Sequence, residues 1–397
     1  MNTTPYILLL LIGYIIFTID KKKKDIPVPP ILVLIGIGLF FIPYFSSIEV
    51  TKDVIYQLFL PGLLFVSAYR FPPSAFRRNG GIIAFLATGG ILITVFLLGM
   101  AIYALSSPIV SISFVGCLLI AAILTPTDPV SVTSILEKAT GKREMAEVVE
   151  GESFINDGTS IVLFTVISGI YLKDGKSLGI GTFLGEFLYV SLGGIFIGLA
   201  VGWLFSKAVH ITHHKEYQVT LSIILAYGTF NFAEHFGFSG VLATVFAGIM
   251  LSFEFDRSIK DDHFRESLEE GFWGVVEISI LSLLFLFIGI VSGQHLSFEY
   301  WGLAIMIFLA SLIVRLLIIT GSTQLFLPWR KKFGWKESIL LSWSGLRGSM
   351  SVFLILSLQA KEAGNTGLII SLSFAAVLIS LVVQSIGIHP LSKKLLK

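Results

Sequence analysis

An all-α fold that crosses a membrane many times is what this sequence predicts, and three observations predict it. Of 397 residues, 54% are hydrophobic and only 14% charged, with a mean hydropathy of +0.87, far from the balance of an ordinary soluble domain. The apolar residues gather in runs of spanning length, separated by charged or Pro/Gly punctuation. Finally, Lys and Arg fall in alternate connectors, the pattern of cytoplasmic loops.

Taken in order, the runs give thirteen candidate spans, near 5–19, 28–44, 54–69, 80–105, 109–135, 152–172, 183–206, 217–234, 238–253, 272–293, 299–320, 337–359 and 366–388. The first, about Tyr6–Ile19, is short for a span, lacks a basic leader and is followed by Lys21–Lys24, which argues against a cleaved signal peptide. Lys21–Lys24 would lie inside with or without it, and the parity of the remaining connectors supports thirteen or twelve spans and not a β-barrel. The basic connectors hold Lys21–Lys24; Arg70, Arg77 and Arg78; Lys138, Lys142 and Arg143; Lys207 and Lys215; Arg257, Lys260 and Arg265; Arg330, Lys331, Lys332 and Lys336; and Lys393, Lys394 and Lys397. They account for 22 of the 28 basic residues, against four (Lys52, Lys173, Lys176 and Lys361) on the other side. An odd number of spans then sets the N-terminus outside and the C-terminus in the cytoplasm of a multi-pass protein of the cell membrane.

Composition also excludes. A net charge of +2 with scattered basic clusters gives no nucleic-acid footprint. The single cysteine, Cys117, sits in an apolar run, forms no intrachain disulfide and reads as a small core residue. The longest polar connector is about Glu254–Gly271, so no soluble domain of useful size is present and activity has to reside in the membrane.

Two spans are interrupted. In the fifth, "TPTDPV" (Thr125–Val130) carries Pro126 and Pro129, which donate no backbone hydrogen bond and leave the carbonyls of Ala122 and Thr125 without helical partners. In the twelfth, "SGLRGS" (Ser344–Ser349) sets Gly345 and Gly348 around a charged Arg347 in mid-span. If spans 1–6 and 8–13 are two repeats joined by span 7, each break falls in the fifth helix of a repeat, and the two helices run in opposite directions. Paired breaks in opposed halves point to a secondary transporter built from inverted repeats. Span 7 carries Gly194, Gly198 and Gly202 on one face, for close packing either within the subunit or across a dimer.

The carboxylates deepen that reading. Asp128, Glu152 and Asp157 lie in apolar stretches, where each charge costs about 2.5–3.5 kcal/mol at the centre of a span. On a helix from about Gly151, Ser153 and Asp157 share one face, and Glu152 and Asn156 share another. Asp128, Asp157, the Ser153 hydroxyl and carbonyls freed at the break form an all-oxygen set suited to a hard alkali cation. With no Cys or His nearby, zinc, copper and iron–sulfur sites are excluded, and no cofactor is expected. A carboxylate that trades a cation for a proton carries little net charge in either state, so burial is tolerable and the two fluxes are coupled. The plain alternative is a set of helix caps and packing ion pairs, with Asp128 capping a helix that continues from Pro129. For Glu152 an ion pair is the favoured role, with Arg315 or Arg347 as partner. His210, His213 and His214 read as a solvated cluster rather than a pH sensor or metal site. Glu277 reads as interfacial, with the cytoplasmic entrance as its other placement, and Glu234 as the mark of an external helix end.

These motifs, "TPTDPV", "GESFINDGTSIVLF", Arg315 and "SGLRGS", make the chain similar to the cation:proton antiporter-1 family, the NhaP-like and mammalian sodium/proton exchangers, over essentially its whole length. The resemblance implies an NhaA-like fold whose interrupted helices cross at the membrane midplane. It implies a cation held by Asp128, Asp157, the Ser153 hydroxyl and the Thr127 carbonyl, with Asp157 as main proton carrier. It further implies that Glu152 pairs with Arg315, that Asn156 supports the pair and that Arg347 is an organising charge. Asn156–Asp157, where electrogenic relatives have two acids, implies electroneutral one-for-one exchange of Na⁺ or Li⁺ for H⁺. The implied assembly is a homodimer in which a core bundle (about 80–172 and 299–388) moves against a dimerisation bundle (about 5–69 and 183–293). Two departures stand out. "LPGLLFVSAY" has Gly62 and Val66 where many relatives have a proline and a glutamate, and the long regulatory tail of animal exchangers is not seen, so control through one is not expected. Rival readings are a K⁺/H⁺ exchanger of the same fold, a cation channel, which would pass uncoupled current, and an intramembrane serine protease, for which "GESFI" lacks the nucleophile elbow and no membrane-depth His supplies a base.

Overall fold

The computed structural model describes residues 4–23, 28–46, 48, 51–128, 133, 136–137, 141–172, 180–209, 215–258, 271–294, 298–360 and 366–396. It is a multi-pass, all-helical membrane fold. In chain order the helices are α1 (Thr4–Lys23), α2 (Val28–Phe40), the short α3 (Pro43–Ser46), α4 (Leu60–Arg70), α5 (Pro73–Phe85), α6 (Ile91–Ser106), α7 (Phe114–Ile123), α8 (Arg143–Leu172), α9 (Ile180–Val209), α10 (Lys215–His235), α11 (Gly240–Ser258) and α12 (Trp273–Gln294). They continue with α13 (Trp301–Leu325), the short α14 (Leu327–Arg330), α15 (Trp335–Trp343), α16 (Ser349–Gln359) and α17 (Gly367–Leu396). A π-helical turn at Val54–Phe59 leads into α4, and another at Leu86–Gly90 joins α5 to α6. Among the described residues, seven helical stretches are long and apolar enough to cross a bilayer: α1, α5 with α6, α8, α9, α12, α13 and α17.

Three helices outrun their apolar stretches. α1 covers 20 residues where about 14 are apolar. α5 begins at Pro73 and so takes in Arg77 and Arg78, while α8 begins at Arg143, well before the expected start near Gly151. Helical hydrogen bonding does not stop at the lipid boundary. The extra turns of α5 and α8 are laced by Arg78 Nη2 to Glu147 Oε2 at 2.5 Å and by Arg78 Nε to Glu144 Oε1 at 3.5 Å. Lys332 reaches the same Glu144 at 2.8 Å.

Small residues set the tightest packing. On α9 the Gly194, Gly198 and Gly202 face lies against Ser239, Ala243 and Ala247 in and just before α11, so its use is within the subunit. Gly36 of α2 meets Gly289 of α12 in the same way. Around α4, Phe65, Val66 and Tyr69 join Leu225, Phe255 and Trp273 in a buried apolar cluster. Val66 thus stands in a region packed as hydrocarbon, while a β-carbon on Gly62 would meet the Tyr227 hydroxyl at 3.0 Å and the Trp273 ring at 3.4 Å.

The breaks lie together. α7 ends at Ile123, while the other span stops at Trp343 and restarts at Ser349. Extended backbone from both meets in an antiparallel bridge between Asp128 and Leu346, the Asp128 N–H donating to the Leu346 carbonyl at 2.8 Å.

Candidate cation site

The site is assembled from backbone that the breaks set free. An unwound turn buried away from water has to find other partners for its polar groups. At the first break, the Thr125 carbonyl, left without a helical donor by Pro129, accepts from Arg347 Nη1 at 3.2 Å. Thr127 is held on both faces by α8: its N–H donates to Asn156 Oδ1 at 3.4 Å, its hydroxyl accepts from Asn156 Nδ2 at 3.0 Å, and its carbonyl accepts from the Ser153 hydroxyl. Pro129 itself lies outside the described residues.

The glycines of the second break make room for charge. A β-carbon on Gly348 would stand 2.5 Å from both Cβ and Oδ2 of Asp128, and one on Gly345 would collide with the Arg315 guanidinium. Gly345 thereby admits the ion pair, and Gly348 admits the carboxylate.

Of the two mid-span arginines, Arg315 on α13 is the one that meets Glu152. The pair is bidentate, Nη1 to Oε1 at 3.1 Å and Nη2 to Oε2 at 2.7 Å, and both residues are buried. Asn156 Nδ2 also donates to Glu152 Oε1 at 3.0 Å, so this one amide ties the ion pair to the unwound Thr127. A buried pair of this kind is held together by its geometry and by the bonds that satisfy its remaining lone pairs. Arg347 is buried as well and faces the first break instead.

Asp128, Asp157, Ser153 and Thr127 converge on one cavity of about 240 Å³. Asp157 Oδ1 is buried and has no hydrogen-bond partner among the described residues. The Thr127 carbonyl, already accepting from Ser153, retains a second lone pair. Four oxygen-bearing groups around a cavity, one carboxylate oxygen unpartnered, make a donor set that suits a hard monovalent cation or a proton, and no His or Cys stands among the described lining residues. Among those residues no cluster of His, Cys, Asp and Glu fits a transition-metal centre.

Comparison with known proteins decides the family. The chain matches the family described as "Sodium/hydrogen exchanger, transmembrane" over residues 7–394. The chain belongs to the sodium/hydrogen exchanger family. Among its relatives, the Na(+)/H(+) antiporter NhaG of Bacillus atrophaeus is 36% identical over 392 residues, covering 95% of this chain and 72% of that protein. The Na(+)/H(+) antiporter NhaH of Halobacillus dabanensis is 33% identical over 403 residues, covering 98% and 96%. Its fold is that of the sodium proton antiporter MjNhaP1 from Methanocaldococcus jannaschii, with a TM-score of 0.78 at 22% identity over 98% of this chain and 97% of that one.

Sequence reading of this exchanger-family chain left two placements open for Glu277 and missed its partner. Glu277 lines the cavity and bonds to Arg70 at the end of α4. Glu150 lines the cavity too. The signal was present: Glu150, Ser153 and Asp157 are spaced three and seven apart, hence on one face of α8. Thr159, whose hydroxyl donates to the Ala87 carbonyl at 2.7 Å, docks α8 on the π turn, and no pattern in the sequence announces that bond. Glu234 does more than mark a helix end, since Oε1 accepts from the Tyr56 hydroxyl and from the Gly240 N–H, both at 2.8 Å. His210, His213 and His214 lie outside the described residues.

Proposed function

We propose that this protein is a secondary antiporter that exchanges Na⁺, or Li⁺, for H⁺ by alternating access at the Asp128–Asp157 site. The observation that carries the reading is the buried oxygen set in the cavity, with Asp157 Oδ1 lacking a hydrogen-bond partner among the described residues. An unpartnered buried carboxylate oxygen is costly unless something mobile binds it. Asp157 is accordingly the main proton carrier, and Asp128, the Ser153 hydroxyl and the Thr127 carbonyl complete the cation's coordination. Glu152, Asn156 and Arg315 form the frame beside it, and Arg347 is an organising charge.

Formal charge supports an electroneutral cycle. Glu152 and Arg315 cancel in their bidentate pair. Glu277 is likewise paired with Arg70, and one Na⁺ or one H⁺ taken up at the Asp128–Asp157 site gives the loaded site the same charge in either direction. A cycle that always returns with one of the two moves no net charge. Relatives named Na(+)/H(+) antiporters at 33–36% identity agree with this choice of ions.

The reading takes the fold as thirteen spans in two inverted repeats, with the N-terminus outside and the C-terminus in the cytoplasm. Its core bundle is formed by about 80–172 and 299–388, and its dimerisation bundle, the meeting face of a homodimer, by about 5–69 and 183–293. On that topology, Glu150, Glu277 and Arg70 mark the cytoplasmic end of the cavity, because the basic connectors lie on their side. The cavity then corresponds to an inward-facing state.

The test is flux. Purified protein in inside-acid proteoliposomes, with a pH dye inside, should lose its pH gradient when Na⁺ or Li⁺ is added outside, and clamping the voltage with valinomycin and K⁺ should leave the rate unchanged. A rate that follows the clamp contradicts electroneutrality. Preference for K⁺ would favour the exchanger of the same fold with that selectivity, and uncoupled current would favour a channel.

A further inference from the structure

We infer that Gln384 on α17 is a positioning residue for the cation site, holding the second break so that the Leu346 carbonyl meets the Asp128 amide. The inference rests on the antiport reading above. Gln384 lies in the apolar run "LISLVVQSIGI" and is 1% exposed. A buried side-chain amide is unfavourable unless its donors and acceptor are used. Here they are used on the break. Gln384 Nε2 donates to the Trp343 carbonyl at 2.7 Å and to the Gly345 carbonyl at 3.3 Å. Its Oε1 accepts from the Ser380 hydroxyl, and the Trp343 indole N–H donates to the Gln384 carbonyl at 3.0 Å. One turn earlier on the same helix, Ser380 Oγ accepts from the Arg347 N–H at 3.0 Å.

A helix that stops at Trp343 leaves its last carbonyls without partners, and in a buried break no water supplies them. Gln384 and Ser380 between them take Trp343 O, Gly345 O and Arg347 N. Their effect on Leu346 is geometric. The Leu346 carbonyl and the Arg347 N–H belong to one planar trans peptide and point in opposite directions. Ser380, by holding that N–H, aims the carbonyl away from α17 and toward the Asp128 N–H, 2.8 Å off. Gln384 fixes the preceding peptide through Gly345. Leu346 is therefore held on both sides, and through it the backbone of Asp128. Gln384 does not line the cavity, so it acts through Asp128 and not on the ion.

The experiment compares the wild type with Gln384→Leu, Gln384→Glu and Ser380→Ala in two readouts: Na⁺-dependent thermal stabilisation of purified protein, which reports binding, and Na⁺-driven pH change in proteoliposomes. Gln384→Leu should raise half-saturating Na⁺ about tenfold, equal to about 1.4 kcal/mol, with maximal rate within about twofold. Ser380→Ala, which removes the bond from the Arg347 N–H and the one to Gln384 Oε1 but leaves both Gln384 bonds to the break, should raise it about threefold. Gln384→Glu gives its own signature. Ionised, it has no donor for the two carbonyls, and protonated it has one. Its activity relative to wild type should therefore rise as the pH falls. Unchanged half-saturating Na⁺ in Gln384→Leu, or a loss of maximal rate alone, overturns the inference. Should Gln384→Leu fail to fold, wild-type Na⁺ dependence in Ser380→Ala and a flat pH ratio in Gln384→Glu overturn it as well. A wild type indifferent to Na⁺ in both readouts removes the antiport reading first and this inference with it, whereas a Na⁺-responsive wild type isolates the failure to Gln384.

Discussion

The two breaks in this molecule are built for different work. At the first, Thr127 is secured by Ser153 and Asn156, and both lie on α8 beside Asp157. At the second, Trp343, Gly345 and Arg347 are secured by Gln384 and Ser380 of α17, neutral groups away from the cavity. On the proposed antiport reading, the first break is thus wired to the helix that carries the exchanging carboxylate, and the second to neutral groups outside the cavity. Among the described residues their one backbone bridge, Asp128 to Leu346, on that reading joins a variable half to a fixed half. The contrast teaches where pH and ion dependence should reside: in α8 and Thr127, with α17 and the "SGLRGS" segment as the frame against which they change.

Substitutions sharpen or break that contrast. The largest effect is expected from Arg315→Met, which leaves Glu152 buried without its bidentate partner and should cost about 3–5 kcal/mol of stability, read as a lowered unfolding temperature in detergent. Adding Glu152→Gln should recover part of the loss, and no recovery would mean that Arg315 acts through packing alone. Next comes Asp157→Asn, which keeps the shape but removes the exchangeable charge, and should lower exchange about a hundredfold, or about 2.8 kcal/mol, in proteoliposomes. Exchange at the wild-type rate in this variant would place the carrier elsewhere. Gly348→Ala should press on the Asp128 carboxylate and cost about 1–3 kcal/mol, seen as weaker Na⁺ binding, while Gly345→Ala presses on Arg315 and should appear as lost stability instead. Equal effects of the two on Na⁺ affinity would erase the division of labour. The smallest effect is expected from Ser153→Ala, which loses one hydrogen bond to Thr127 and one cation ligand, about 1 kcal/mol or a fivefold rise in half-saturating Na⁺.

Much of this architecture was legible in the sequence, for identifiable reasons. Apolar runs mark spans because a bilayer penalises charge so strongly, and "TPTDPV" and "SGLRGS" mark breaks because proline and glycine disrupt helices by covalent necessity. The candidate site's geometry was legible where chemistry is local: Ser153 and Asp157 share a face by spacing alone, and both line the cavity. What remained hidden depends on contacts far apart in the chain. Spacing does not choose between Arg315 and Arg347 as the partner of Glu152, because the choice follows from how α13 lies against α8. The starts of α5 and α8 were obscured because Arg78, Glu144 and Glu147 read as loop charge until seen paired with one another. Gln384 and Ser380, four residues apart in an apolar helix, carried a polar signal whose object, the backbone of residues 343–347, only the fold brings within reach.

The central claim is that cation and proton compete for one site at Asp157. Its most direct test is half-saturating Na⁺ for exchange, measured across pH in proteoliposomes under a voltage clamp. Competition requires the value to rise as the pH falls, approaching a tenfold increase per pH unit once the site is mostly protonated, with maximal rate reached at sufficient Na⁺. A half-saturating Na⁺ that stays flat across pH while the maximal rate alone changes would mean that the proton acts somewhere other than the Asp128–Asp157 site, and would contradict the account.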